Sequence, residues 1–204
     1  MQNIKSYSLS GPSGNLEGVA HLPTQSPRGI AVVAHPLPTM GGTMDNKIVT
    51  TLCKTFVELG FVALRFNFRG VGASAGSYDD GIGETEDLLA VIRDAQQTYG
   101  DLPLLLAGFS FGGFVQARAA KQLRVTKMLL VAPAVGRFNM PEVPAGTVLI
   151  HGDKDDVVTL ADMLDWARPQ QLPVVVLPGA DHYFHGRLGQ LKQLVLGHFR
   201  GHPV

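Results

Sequence analysis

Six short runs of almost unbroken apolar residues recur along this chain, at 29–35 (GIAVVAH), 61–66, 102–107, 127–132, 147–151 and 173–177. A run of five to seven apolar residues suits a strand covered on both faces, because a half-exposed strand would alternate apolar with polar. The stretches between most of these runs have the spacing of amphipathic helices. At 46–59 the stripe is Ile48, Val49, Leu52, Cys53, Phe56 and Val57, closed by Gly60. At 84–99 it is Leu88, Leu89, Ile92 and Ala95, behind an acidic start that suits the positive end of a helix dipole. Further helices are expected at 111–123, 159–167 and 187–199. Strands that alternate with helices build a mainly parallel sheet with helices on both faces. Two earlier segments, 4–9 and 15–22, are joined by Ser-Gly-Pro-Ser-Gly, whose turn chemistry predicts an antiparallel hairpin at one edge of that sheet. The expectation is therefore an α/β fold, and at 204 residues one domain over 1–204.

Composition removes several classes of function. Lysine plus arginine number 17, as do aspartate plus glutamate, so no net basic field exists to draw nucleic acid or anionic lipid. The single cysteine, Cys53, rules out an internal disulfide and a thiolate metal cluster, and its place in an apolar stripe marks it as a core residue. No apolar stretch approaches the roughly 20 residues of a membrane helix. The opening residues, Met-Gln-Asn-Ile-Lys-Ser-Tyr-Ser, lack the apolar core of a secretory signal. A soluble, cytoplasmic protein is expected.

The chemistry begins at 108–112, which read Gly-Phe-Ser-Phe-Gly directly after the strand 102–107. A serine at a tight strand-to-helix turn adopts a strained backbone and projects its hydroxyl from the sheet edge. The glycines on either side keep Cβ atoms out of the closing angle between strand and helix. Ser110 alone is a poor nucleophile at neutral pH; it needs a base, and the base needs an acid. In sheet proteins with this turn, the acid and then the histidine follow in sequence. The strand 147–151 is followed by Gly-Asp-Lys-Asp-Asp-Val-Val, and the strand 173–177 by Pro-Gly-Ala-Asp-His-Tyr-Phe-His. All three segments leave the carboxyl ends of strands, the edge where open α/β sheets place ligands.

On spacing, Asp153, Asp155 and Asp156 all qualify as the acid. His182 and His185 both qualify as the base, with His182 on the shorter and better fixed loop. The amide after the serine, that of Phe111, is the expected first donor to a developing oxyanion. The second should come from the loop after the first parallel strand, His-Pro-Leu-Pro at 35–38. Pro36 and Pro38 carry no N–H, which leaves Leu37 between them. Two histidines with nearby aspartates make a poor metal set. The glycine tract at 70–76 lacks the Lys-Ser/Thr of a phosphate loop and does not open directly into a helix, so it reads as an irregular loop. Neither a metal nor another cofactor is expected. Trp166 and Met163, on the helix after the acidic loop, are expected in the core.

These segments together resemble the α/β-hydrolase superfamily, and within it the compact hydrolases related to dienelactone hydrolases and serine aminopeptidases. The likeness rests on five stretches: 35–47, 65–74 (RFNFRGVGAS), the serine turn, 151–158 (HGDKDDVV) and 179–185 (GADHYFH). The resemblance implies that the acid stands four residues after the histidine closing its strand, which is Asp155. It places the base on His182 and an oxyanion amide on Leu37. Dienelactone hydrolases proper carry cysteine at the turn, where this chain has serine, so their substrate is not carried over. Many relatives insert a helical lid after the strand corresponding to 127–132. Here only about a dozen residues, with Pro133, Pro141 and Pro144, precede the next strand, so an open, lidless site is expected.

The function expected is a serine hydrolase acting by acyl transfer on small or flexible carboxylic esters, without interfacial activation. A thioesterase or short-peptide hydrolase is the nearest alternative. From another class, a non-catalytic binding protein would share the fold but would have no physical reason to keep all three groups. A nicotinamide-binding oxidoreductase would rest on the glycine tract alone.

Overall fold

The structure, a computed structural model, describes residues 3–200. Eight strands form one sheet: β1 Asn3–Gly11, β2 Gly14–Leu22, β3 Ile30–Ala34, β4 Val62–Phe66, β5 Leu104–Phe109, β6 Lys127–Val131, β7 Val148–Gly152 and β8 Val174–Leu177. Their spatial order is β1-β2-β4-β3-β5-β6-β7-β8. The expected hairpin is present: β1 and β2 pair antiparallel from Asn3 against Leu22 to Gly11 against Gly14. β2 then pairs antiparallel with β4, and every later neighbour is parallel.

Period-two alternation divides the apolar runs between two cores. Val32, Ala34, Leu64, Phe66, Leu104 and Leu106 face one side. There they meet α2 (Ile82–Tyr99), α3 (Phe111–Ala120) and α4 (Leu160–Ala167). Ala31, Val33, Ala63, Leu105, Ala107 and Ile150 face the other side, under α1 (Lys47–Glu58) and α5 (Leu188–Phe199). Helices α1 and α5 lock edge-to-face through Phe56 and Phe199, with ring centroids 6.0 Å apart.

Helix ends follow local chemistry. Asn46 caps α1 by accepting the Ile48 N–H, and Thr159 caps α4 by accepting the Asp162 N–H. Glu84 is fully buried at the start of α2 and accepts the N–H groups of Asp79 and Gly81. Arg69, just after β4, is held by both carboxylate oxygens of buried Asp87 at 3.0 and 2.8 Å, which fixes the 70–81 loop against α2.

Several bounds differ from expectation by one or two residues, as at β5, expected over 102–107, and two further details differ. Helix α3 ends at Ala120, three residues before 123, where a turn carries the chain toward β6. Trp166 is half-buried beside the core rather than in it, whereas Met163 on the same helix is fully buried. The connection from β6 to β7 contains turns but no helix, so no helical lid is inserted there.

Candidate active site

Ser110 stands between the last residue of β5 and the first of α3 with φ 53° and ψ −120°, a positive-φ conformation that non-glycine residues seldom adopt. The turn that imposes it is too tight for side chains. A Cβ on Gly108 would lie 2.5 Å from the Gly112 backbone, and one on Gly112 would lie 2.3 Å from the Ala34 carbonyl oxygen. The Ser110 N–H donates to the Val131 carbonyl at 3.0 Å, tying the turn to β6. Buried Gln116 stitches α3 down by donating to the carbonyls of Val32 and Ala107 at 2.9 and 2.8 Å. One side-chain amide, bonded to two strands, thus holds the helix that follows the strained residue.

The loop after β8 brings His182 over this serine. Its Nε2 is 3.1 Å from Ser110 Oγ, and its Nδ1 is 2.7 Å from Asp155 Oδ2. The imidazole packs on Phe109 with ring centroids 5.0 Å apart, and buried Phe184 anchors the loop. Asp155 sits on the loop after β7. Its Oδ1 accepts the N–H groups of Val157 and Val158 at 2.9 and 2.7 Å, which leaves Oδ2 for the histidine. Burial pushes the Asp155 carboxyl up, but the His182 hydrogen bond and the Val158 amide outweigh it, so the group sits below the usual aspartate range. A charged carboxylate on Nδ1 requires the proton there, which leaves Nε2 as acceptor toward the serine.

The competing candidates lie elsewhere. Asp153 is exposed and its carboxylate caps the Gly179 N–H. Asp156 is exposed. His185 is exposed and pairs with the Asp181 carboxylate, away from Ser110. Among the described residues, no group of three or more His, Cys, Asp or Glu could hold a metal ion. The 70–76 tract is an irregular loop bound to β2, with Glu17 accepting the Ala73 N–H at 2.9 Å.

Leu37 and Phe111 line the same cleft as Ser110 and His182, a cavity of about 240 Å³. Among the described residues, neither N–H donates to a protein acceptor. The cleft wall is largely apolar, with Leu37, Met40, Phe138, Val157 and Tyr183, and Arg137 stands exposed at its rim. A larger hollow of about 720 Å³ runs along α5 by Gln193 and Leu194, but it contains none of the relay groups.

The buried histidines His35 and His151 were given no role from the sequence, because no spacing rule marks either as a working group. His151 at the end of β7 donates from Nε2 to the Val158 carbonyl at 2.9 Å and so braces the Asp155 loop. His35, just after β3, is fully buried; burial pushes its pKa down to about 4. In the unfolded chain an imidazole protonates near 6.5. The unfolded state therefore takes up this proton first, and stability present above about pH 6.5 is lost as pH falls toward 4, by up to about 3 kcal/mol. Burial and the neighbouring Arg65 lower His21 in the same way, also to about 4. The thermal midpoint should fall between pH 7 and pH 4.5, and a scanning calorimetry series would detect it. A midpoint flat across that range would contradict neutral burial.

This sheet order, with a strained serine after β5 and an acid and a histidine on later strand ends, is the α/β-hydrolase architecture in its lidless form. The chain belongs to the family described as "Serine aminopeptidase, S33", whose sequence model matches residues 25–145. It is a hydrolase. A protein of Rickettsia prowazekii is 30% identical over 202 residues, which cover 92% of this chain and 85% of that one. An α/β serine hydrolase without a lid from Xanthomonas campestris superimposes with a TM-score of 0.93 at 38% identity, over 97% of this chain and 94% of the other. An α/β serine hydrolase homologue from Coxiella burnetii gives 0.89 at 39% identity, over 97% of each.

Proposed function

We propose that the protein hydrolyses small carboxylic esters by acyl transfer through Ser110, His182 and Asp155. The observation that carries this reading is the unbroken relay from Ser110 Oγ to His182 to Asp155, at 3.1 and 2.7 Å. Ser110 Oγ attacks the ester carbonyl carbon while its proton passes to His182 Nε2. The Leu37 and Phe111 amides receive the oxyanion. Collapse breaks the bond to the leaving alcohol, which takes the proton from His182. Water then repeats the cycle, losing a proton to His182 and releasing the carboxylic acid and free serine.

Esters are favoured over peptides by the cleft itself. An aminopeptidase site needs a carboxylate to hold the substrate's free ammonium, and the described residues lining this cleft include none. Its small volume and the absence of a lid suit short acyl groups that enter from water. A fluorophosphonate probe should label the folded wild type and leave Ser110→Ala unlabelled. Equal labelling of both would remove the assignment. Nitrophenyl esters of rising chain length, run beside aminoacyl and thioester substrates, should show highest kcat/KM for the short esters. Because His182 must be neutral to accept the proton, the rate should fall on acidification, and a rate that stays level from pH 5 to 8 would contradict its role.

A further inference from the structure

We propose that His35 is a positioning residue for the oxyanion site: its Nδ1–H fixes the Pro36–Leu37 peptide so that the Leu37 N–H faces the cleft. The inference rests on the oxyanion role assigned to Leu37 above.

The proton on His35 is placed by its partners. Nε2 lies 3.1 Å from the Phe68 N, and a backbone N–H can only donate, so Nε2 is the acceptor. The proton is therefore on Nδ1, which lies 2.7 Å from the Pro36 carbonyl oxygen and donates to it. That oxygen and the Leu37 N–H belong to one planar trans peptide and point in opposite directions. Holding the carbonyl thus aims the N–H.

Little else can swing this peptide. Its orientation depends on φ and ψ of Pro36, and the proline ring already fixes φ. The remaining rotation, ψ of Pro36, is the one the His35 hydrogen bond holds. The Pro36 oxygen also meets Gly42, where a Cβ would stand only 2.1 Å away. Downstream, the Leu37 carbonyl accepts the N–H groups of Met40 and Gly42 at 3.1 and 3.0 Å. The Pro36 and Leu37 carbonyls are thereby both engaged within the turn, while Leu37 lines the cleft and its N–H has no protein acceptor among the described residues. The imidazole itself cannot tilt freely, since its ring packs against Phe68 at a centroid distance of 4.5 Å.

Two substitutions separate positioning from structural support. The amide nitrogen of asparagine can stand where Nδ1 stands, so His35→Asn keeps the donor to Pro36 and gives up the partner of Phe68. Glutamine reaches the Nε2 position instead, so His35→Gln keeps the Phe68 partner and gives up the donor. Kinetics with a short nitrophenyl ester and thermal midpoints are measured for both variants. His35→Asn should keep kcat within about threefold of wild type, while His35→Gln loses about tenfold in kcat with KM unchanged. Gly42→Ala, which crowds the same carbonyl, should show the same loss in kcat and provides the measurement if His35→Gln does not fold.

Both effects should disappear when Leu37 is replaced by proline, because the amide they aim no longer exists. Equal kcat losses in His35→Asn and His35→Gln, or losses that multiply with Leu37→Pro, would overturn the inference while leaving the oxyanion assignment standing. An unchanged kcat in Leu37→Pro alone would remove that assignment, and the positioning role with it.

Discussion

Ser110→Ala is expected to lower kcat for a short ester by about 10⁶-fold while the protein stays folded. In the proposed mechanism the serine oxygen is the atom that bonds to the acyl carbon, so no neighbour substitutes for it. Alanine meets the same backbone strain at φ 53°, so stability should change little. Asp155→Asn is expected to lower kcat by about 10⁴-fold for a different reason. Its carbonyl can still cap the Val157 and Val158 amides, but its NH₂ would face His182 Nδ1. The ring would then carry its proton on Nε2, toward Ser110, and could not accept another. Pre-steady-state kinetics and thermal melts would test both. A folded Ser110→Ala variant retaining more than about a hundredth of wild-type kcat would sink the nucleophile assignment.

Leu37→Pro is expected to lower kcat by about 100-fold, near 3 kcal/mol in the barrier, with little change in KM. The substitution suits this site. Leu37 has φ −53° and ψ 120°, values open to proline and to a residue that precedes Pro38. Its N–H has no protein partner among the described residues, so the folded protein loses no internal hydrogen bond. The variant therefore deletes one donor at a φ that proline accepts. The loss should appear in kcat because the donor meets full negative charge only as the carbonyl becomes tetrahedral. An equal loss in KM alone would mean that Leu37 binds the ground state. A melting temperature lowered by more than about 10 °C would mean that the turn itself had failed.

Much of this arrangement was legible in the residues because its signals are local. Buried strands such as β3 and β5 must be apolar throughout, and a strained serine between two closing elements must have glycine neighbours. Asp155 was less local: three aspartates within four positions share the same spacing, and only the family resemblance and the tertiary contacts separate them. The Val157 and Val158 amides turn toward Asp155, while Asp153 turns to Gly179. The bracing roles of His35 and His151 were not legible for a further reason. Each ends an apolar strand, and its role lies in a carbonyl that no sequence pattern marks. Trp166 shows the reverse limit, since helical spacing names a face but not how far the neighbouring elements cover it.

The relay joins groups 72 and 27 residues apart along the chain, carried on the ends of β5, β7 and β8. Those strands reach their places only when β6 lies between β5 and β7. No fragment of the chain ending before β8 holds all three groups, so on the proposed mechanism turnover begins during synthesis only once the last strand has docked. Hydrolysis regained after dilution from denaturant should therefore trail the recovery of helical signal, and report the closing of the sheet's far edge.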